Sequence, residues 1–276
     1  MTTQAQKAEI FRELHTQKKP FIIPNPWDAG SARVLAGLGY RALATTSSGF
    51  ANSIGLIDGE PGRDAVLAHS ATLVAATDLP VSADLENGFG DAPEAVTETF
   101  RGALAAGLVG GSIEDYSGKH LYEIEHAAER VRAAVEAVRG AGFPFTITAR
   151  AENYFRGKPD LADTIKRLQA YQEAGADVLF APSLPSREAL ETVLREVDRP
   201  VSVLGGIGGL AQLTLADYEA LGVRRVSVGS LLSTVAYGAL IHAARELKDA
   251  GSFGFVQELA RAKDLRALLR EGAGSR

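Results

Sequence analysis

The sequence has no cysteine among its 276 residues, which excludes disulfide bonds, thiolate nucleophiles and thiolate metal sites. Aromatic residues make up only 7% of the chain, and there is a single tryptophan. No apolar run approaches the roughly 20 residues that cross a membrane, and residues 1–9 are polar, without the apolar core of a signal peptide. We therefore expect a cytoplasmic protein with no membrane partner.

Positive charge does not accumulate anywhere along the chain. The 29 basic and 34 acidic residues give a formal charge of −5, and there is no long basic run. Nucleic-acid-binding proteins carry a basic stripe or patch, so we expect no nucleic-acid partner. What the chain does have is 46% hydrophobic residues and 29 glycines, a composition typical of an α/β protein with many tight turns.

Short apolar or β-branched runs alternate with longer segments of helical periodicity, as in βα units around a parallel sheet. The eight predicted strands are 21–24, 42–46, 80–84, 111–114, 145–150, 177–181, 201–204 and 225–228. The predicted helices between them are 29–38, 63–76, 92–106, 121–139, 161–173, 186–196 and 215–221. Eight such units predict an α/β fold of the (β/α)8 TIM-barrel type.

A helical extension follows the eighth strand, from about residue 233 to residue 269, with an interruption at 251–254. One barrel helix needs only part of this length, so we expect the rest to cap the barrel or to contact another subunit. No linker or change of composition marks a boundary, and residues 1–276 are predicted to form a single barrel domain with extra C-terminal helices. The expected assembly is a homo-oligomer, either a dimer or a tetramer.

Three acidic residues follow two neighbouring predicted strands. Asp84 and Glu86 end the third strand and Glu114 ends the fourth, on the face where TIM barrels carry their active sites. Three carboxylates this close repel each other unless protons or a cation neutralise them. An oxygen-only ligand set favours Mg²⁺, with Mn²⁺ possible, so the sequence predicts a divalent metal site at this edge of the barrel.

Other strand ends supply candidate groups for binding an acid. Arg150 ends the fifth strand, where its planar guanidinium would suit a substrate carboxylate or pair with Glu114. The run 45–49, Thr-Thr-Ser-Ser-Gly, offers hydroxyl and backbone N–H groups for the same purpose. Trp27, after the first strand, is a further candidate for substrate binding, and His120 lies in a loop after the fourth strand that is long enough to act as a lid.

Glycines follow the seventh and eighth predicted strands, at 205–209 and at Gly229. Many barrels bind phosphate there through backbone N–H groups, which supports a rival interpretation as a sugar-phosphate or ring-building barrel enzyme. That interpretation leaves the acidic trio unexplained.

Taken together, these motifs resemble the isocitrate lyase and phosphoenolpyruvate mutase superfamily over roughly residues 20 to 240. The matching segments are Thr46-Ser47-Ser48-Gly49, Gly55-Leu56-Ile57-Asp58, Asp84-Leu85-Glu86-Asn87-Gly88-Phe89-Gly90, Ile113-Glu114-Asp115 and Thr148-Ala149-Arg150-Ala151-Glu152. The resemblance implies that Asp84, Glu86 and Glu114 organise Mg²⁺. It also implies that Thr46, Ser47 and Ser48 receive the substrate carboxylate, and that Arg150 and Asp58 face the reacting end.

The chain departs from the superfamily at three places. The lyases carry a Lys-Cys-Gly-His type segment after the fourth strand, whereas this loop reads Tyr116-Ser117-Gly118-Lys119-His120. The sixth strand is followed by Ala-Pro-Ser at 181–183, and an Asn-x-Thr pattern after the seventh strand is replaced by glycines. The departures leave the substrate open, and Tyr116 or His120 is the candidate for proton transfer in place of the cysteine.

The resemblance implies a Mg²⁺-dependent carbon–carbon lyase. Such an enzyme would act on a small di- or tricarboxylic acid, of the isocitrate, 2-methylisocitrate or oxaloacetate kind, and release a 2-oxo acid through an enolate stabilised by the metal. Two alternatives remain open. One is a hydrolase or mutase of the P–C bond of a phosphonopyruvate-like substrate, and the other is a barrel that binds a 2-oxo acid with little turnover.

Overall fold

The computed structural model describes residues 2–274, in which eight parallel strands form one sheet that closes into a barrel. The strands are β1 Phe21–Ile23, β2 Leu43–Ala44, β3 Val81–Asp84, β4 Gly110–Glu114, β5 Thr146–Arg150, β6 Val178–Phe180, β7 Val201–Leu204 and β8 Arg225–Ser227. β8 pairs with β1, and the remaining gap is bridged where the Ala44 N–H donates to the Pro24 carbonyl at 3.1 Å. The prediction of a TIM barrel and of all eight strands is confirmed.

Eleven α-helices lie in the described part of the chain. They are α1 Gln4–Thr16, α2 Ala29–Gly37, α3 Ser47–Ser53, α4 Arg63–Ala76, α5 Pro93–Ala105, α6 Ile124–Val138, α7 Leu161–Glu173, α8 Arg187–Glu196, α9 Leu215–Leu221, α10 Leu231–Ala250 and α11 Ala262–Glu271. Side chains cap several of the barrel helices at their N-termini, as Asp28 does for α2 and Asp160 for α7. The core lies between these helices and the strands, which are buried on both faces as parallel strands require.

Two helices were not predicted from the sequence. α1 begins at a Thr3 capping box and covers the N-terminal end of the barrel, where Phe11 and Leu14 are fully buried against Phe21. α3 begins within the Thr-Ser-Ser-Gly segment, because the Thr46 hydroxyl caps a short helix that starts at Ser47. Its polar first turn hides the helical pattern.

The helical extension predicted from about residue 233 to residue 269, interrupted at 251–254, consists of α10 and α11 with a break between them. α10 ends at Gly251, whose φ of 63° suits glycine at the end of a helix. α10 is largely exposed, whereas α11 returns to pack on α2, where a Cβ at Gly37 would lie 2.5 Å from the Leu268 carbonyl oxygen. Of the helices within residues 2–274, none is long and apolar enough to cross a membrane.

Candidate active site

A cavity of about 1190 Å³ opens at the carboxyl ends of the strands and extends into the barrel. Predicted site residues from five segments of the chain line this cavity. The barrel brings these residues together although some are more than 100 positions apart in sequence. Those residues are Thr46, Ser47, Ser48, Asp58, Asp84, Glu86, Glu114, Tyr116 and Arg150.

Asp84 is fixed at the end of β3 by its neighbours. Its backbone N–H donates to the Thr45 hydroxyl at 2.9 Å, and its carboxylate accepts from the Ser47 hydroxyl at 3.1 Å and from the Glu86 N–H at 3.2 Å. These bonds hold the carboxylate toward the cavity. They also give the Thr-Ser-Ser segment a role that sequence reasoning did not assign, which is positioning Asp84.

Glu86 sits in a strained turn with φ of 48°, a conformation uncommon for residues other than glycine. Its Oε1 atom is buried and has no hydrogen-bond partner among residues 2–274. Burial, followed by the charges of Asp84 and Asp58, raises the pKa of Glu86 to about 8. A carboxylate held in this way needs a proton or a cation beside it.

The turn that carries Glu86 is held from outside by a buried arginine. The Arg130 guanidinium, on α6, donates to the carbonyls of Asn87, Gly90 and Asp91, and its Nη1–Gly90 oxygen distance is 2.7 Å. Arg130 is therefore a support for the β3–α5 loop.

Arg150 ends β5 in the middle of the acidic cluster. Its Nε donates to Glu152, and its Nη1 lies 3.5 Å from Glu114 and 3.8 Å from Asp84. Burial lowers the pKa of Arg150, but the three carboxylates raise it by more, so the guanidinium is permanently charged. The two readings proposed from the sequence, a pair with Glu114 and a cation facing the cavity, are both compatible with this position.

A second arginine enters the site from the loop after β5. Arg156 Nη2 lies 3.1 Å from Glu114 Oε1, and its Nε lies 2.9 Å from Glu152. Its guanidinium also stacks over the Tyr116 ring at 4.2 Å. Burial raises the pKa of Glu114 to about 8, although Arg150 and Arg156 act in the opposite direction.

Asp115 faces away from the cavity and anchors the loop after β4. It accepts from Arg167 at 3.1 Å, from the Tyr171 hydroxyl at 2.5 Å and from the Glu152 N–H at 2.8 Å. The neighbouring Glu114 and Glu152 are thus held in fixed positions on either side of Arg150.

The cluster contains more acidic than basic side chains. The four carboxylates of Asp84, Glu86, Glu114 and Glu152 face only the two guanidinium groups of Arg150 and Arg156, so two negative charges remain when all six are ionised. This excess and the unpartnered Glu86 oxygen fit a divalent cation with oxygen ligands. Within residues 2–274, however, no three acidic or histidine side chains are close enough to form a ready cage, so a bound ion would keep several water ligands.

Two predicted site residues do not line the cavity. Trp27 lies behind α3, and its Cβ would be 3.1 Å from a Cβ at Gly49. His120 is exposed on the loop after β4, with its Nδ1 atom 3.2 Å from the Ser117 hydroxyl. Tyr116, at the base of the same loop, does line the cavity.

Arg156 and Arg225 line the cavity, and the buried Glu152 pairs with Arg150 and Arg156, although no role was assigned to any of the three from the sequence. Glu152 and Arg156 carry opposite charges, lie four residues apart and follow Arg150 in the sequence. This spacing is the signal that could have indicated the ion pair between them. Arg225 gave no such signal because it begins its strand instead of ending it.

The glycines after β7 serve packing. A Cβ at Gly209 would lie 1.8 Å from the Pro185 carbonyl oxygen, so only glycine allows the two loops to touch. Gly206 and Gly208 have φ of 80° and 58°, which favour glycine. These requirements explain the run without a phosphate ligand.

An eight-stranded parallel barrel with clustered carboxylates and arginines at its C-terminal mouth has the architecture of a TIM-barrel enzyme. The model of the phosphoenolpyruvate phosphomutase family matches residues 11–248, so the chain belongs to this family. It is an enzyme of the isocitrate lyase and phosphoenolpyruvate mutase superfamily, as the sequence predicts.

Three relatives illustrate the range of this family. A solved structure from Burkholderia cenocepacia J2315, described as a lyase or mutase, is 54% identical, with a TM-score of 0.92, and covers 95% of this chain and 96% of its own. An uncharacterised protein of Mycobacterium tuberculosis is 36% identical over 87% of this chain and 89% of its own. The 2,3-dimethylmalate lyase of Eubacterium barkeri is 30% identical over 78% of this chain and 77% of its own.

Proposed function

We propose that this chain is a Mg²⁺-dependent lyase that cleaves a C–C bond in a small di- or tricarboxylic acid and releases a 2-oxo acid. The observation that carries the proposal is Arg150, fixed by Glu152 and placed beside Asp84 and Glu114 in the cavity. The name of the 2,3-dimethylmalate lyase, a relative that acts on a dicarboxylate, supports the substrate class.

Asp84, Glu86 and Glu114 would hold the metal, in part through water. A bound Mg²⁺ would supply positive charge close to the oxygen on which negative charge develops during bond cleavage. The hydroxyl of Ser47 orients Asp84, and Thr46 and Ser48 line the same wall, where a substrate carboxylate would lie. Asp58, on the exposed loop that faces Glu86, would stand at the reacting end.

Arg150 and Arg156 would bind different parts of the substrate. Arg150 is held by three carboxylates and offers its remaining N–H donors to a substrate carboxylate. The side chain of Arg156 is about one-third exposed and its guanidinium stacks on Tyr116, so it can move with the leaving part of the substrate. Tyr116 is the better candidate for proton transfer than His120, because it alone of the two lines the cavity.

The test is turnover of 2-methylisocitrate, 2,3-dimethylmalate, isocitrate and oxaloacetate with Mg²⁺ and with chelator, reading the release of 2-oxo acid. Metal-dependent release is expected for the wild type, and Asp84→Asn should lower kcat/KM by about 10³-fold with the fold retained. Asp64→Asn is the matched control, since Asp64 lies at the outer rim and its side chain is 96% exposed. Equal activity in Asp84→Asn and Asp64→Asn would contradict the metal assignment.

A second candidate function is cleavage or rearrangement of a P–C bond, because the matching family model describes a phosphoenolpyruvate phosphomutase. Release of phosphate from phosphonopyruvate, or its conversion to phosphoenolpyruvate, would favour it. Binding of oxalate without turnover of any of these acids would favour a barrel that binds 2-oxo acids.

We also propose that the chain forms a dimer or tetramer through α10. This helix exposes the large apolar side chains of Val235 (70%), Leu240 (60%) and Ile241 (48%), which a second copy of the chain would cover. Light scattering at micromolar concentration tests this. A monomeric wild type would overturn it, and Val235→Glu with Leu240→Glu should reduce the assembly to monomers.

A further inference from the structure

Arg225 lies at the opposite end of the cavity from the acidic cluster. It is the first residue of β8, and its side chain enters the barrel and forms part of the cavity wall. Only 6% of the residue is exposed. Its Nε donates to the Ser202 hydroxyl at 2.9 Å and its Nη1 donates to the Thr148 hydroxyl at 3.1 Å. The guanidinium is thus fixed by two neutral groups.

No carboxylate among residues 2–274 pairs with Arg225, and burial alone accounts for its altered pKa, which falls to about 10. The group therefore remains charged at neutral pH. The two hydroxyls use two of the five N–H donors of a guanidinium. A buried charge without a counter-ion is costly, so Arg225 differs from Arg150, which has three carboxylate neighbours.

The groups around Arg225 do not supply the missing negative charge. His15, on α1 beneath the barrel, lies close enough for the Arg225 charge to act on it, and burial followed by that charge lowers the pKa of His15 to about 3. The imidazole is therefore neutral at pH 7. The cavity wall above Arg225 carries the hydroxyl residues Ser82, Ser112 and Ser227.

We propose that the Arg225 guanidinium, with the hydroxyls of Ser202 and Thr148, is a binding site for a small singly charged anion at the floor of the barrel cavity. Thr148 precedes Arg150 by two residues on β5, so the Arg225 guanidinium lies about 7 Å deeper than the mouth. The anion is either a free ion or the far carboxylate of a diacid whose other end is bound at the mouth. The second source rests on the proposed function, whereas the site itself does not.

The decisive experiment uses the wild-type protein without metal or substrate. Crystals grown without halide are soaked in sodium bromide, and the anomalous signal of bromide is measured. We expect a peak within hydrogen-bond distance of the Arg225 guanidinium. In solution, formate should raise the thermal midpoint relative to gluconate at equal ionic strength, because only the small anion enters the site. The absence of a bromide peak at Arg225 overturns the proposal without reference to turnover.

Variants separate the site from general anion effects. Arg225→Met should lose both the bromide peak and the formate effect, and Arg225→Lys should keep a weakened form of each. Arg63→Met is the matched control, because Arg63 also lines the cavity but lies at the rim, paired with Glu98 at 2.6 Å. A formate effect that persists in Arg225→Met, or that is lost in Arg63→Met, contradicts the assignment.

The source of the anion is distinguished by two ligands of different length, oxalate and 2-oxoglutarate. If the floor receives the far carboxylate of a bound diacid, Arg225→Met weakens binding of 2-oxoglutarate at least tenfold and leaves oxalate unchanged. If the floor holds a free ion, the affinities for both acids are unchanged while bromide binding is lost.

Discussion

The mouth and the floor of the barrel cavity each contain a buried arginine, but in opposite surroundings. Arg150 at the mouth has Asp84, Glu114 and Glu152 around it, whereas Arg225 at the floor has two hydroxyls and no carboxylate. The mouth therefore has an excess of negative charge and the floor an excess of positive charge. The same residue type is a fixed counter-ion in one region and an unpaired charge in the other.

This difference matters for a substrate with more than one acidic group. Carboxylates in excess attract a cation at the mouth, and that cation can bind one end of an acid. An unpaired guanidinium attracts an anion directly. The two regions would then bind an acid by different means, which variants of each region can separate.

The largest effect is expected at the mouth, from Arg150→Met. It leaves three carboxylates without their shared cation, so the free energy of unfolding should fall by about 3–5 kcal/mol. In the same variant kcat/KM should fall by about 10³-fold, because the substrate carboxylate loses its donors. Urea denaturation and steady-state kinetics measure the two effects. Arg150→Lys, the control, should recover much of the stability but little of the activity, since lysine lacks the planar fork. A stable, active Arg150→Met variant would show that the carboxylates of the mouth do not depend on Arg150.

The next largest effect is a loss of stability at low pH caused by His15, at the floor of the barrel. His15 has a pKa of about 3 when folded, against about 6.5 when unfolded, so the unfolded chain takes up its proton first as the pH falls. Stability from this group is complete above pH 6.5 and is lost between pH 6.5 and pH 3, by about 3 kcal/mol at pH 4. His15→Phe keeps the edge-to-face contacts with Phe11 and Phe21 and should lessen the loss on acidification.

Thermal or urea unfolding between pH 7 and pH 4 checks this prediction. His120→Phe is the control, because it makes the same replacement at an exposed position on the rim, away from the floor. Identical pH profiles for the wild type and His15→Phe would show that protonation of the His15 imidazole does not lower the free energy of unfolding.

These two regions also differ in how far the sequence could predict them. Parallel strands give unbroken apolar runs, so all eight strands and the groups at their ends, Asp84, Glu114 and Arg150, followed from the pattern. Arg156 could not be assigned to the site from this pattern, because it reaches the site from a loop whose path depends on tertiary packing. Arg225 could not be assigned either, because only the ends of the strands were considered and Arg225 enters the barrel from the start of one.

The two unpredicted helices have a similar explanation. α3 begins in Thr-Ser-Ser-Gly, where polar residues cap the helix and suggest a turn when read alone. α1 carries its apolar contacts on Phe11 and Leu14, near its end, and the first turns of the helix are polar. In both cases, packing against the barrel decided a conformation that local preference left open.

A smaller effect is expected from Arg156→Met. Arg156 is about one-third exposed and shares Glu114 and Glu152 with Arg150, so its loss leaves both carboxylates with a partner. We expect a loss of about 1 kcal/mol of stability and about tenfold in kcat/KM, with Arg156→Lys intermediate. A loss as large as that of Arg150→Met would mean that the two arginines at the mouth are equivalent, and the distinction between a fixed and an adjustable cation would be wrong.

The smallest effect is expected where a buried charge is removed from the floor. Arg225→Met keeps an unbranched side chain as far as the position of Nε, loses the hydrogen bonds to Ser202 and Thr148, and removes a charge that has no carboxylate partner. The relieved desolvation and the lost bonds oppose each other, so in gluconate buffer the free energy of unfolding should stay within about 1 kcal/mol of the wild type or rise. Urea denaturation beside Arg150→Met tests the contrast directly. A loss of several kcal/mol in Arg225→Met would mean that the floor arginine is stabilised by its surroundings as fully as the arginine at the mouth.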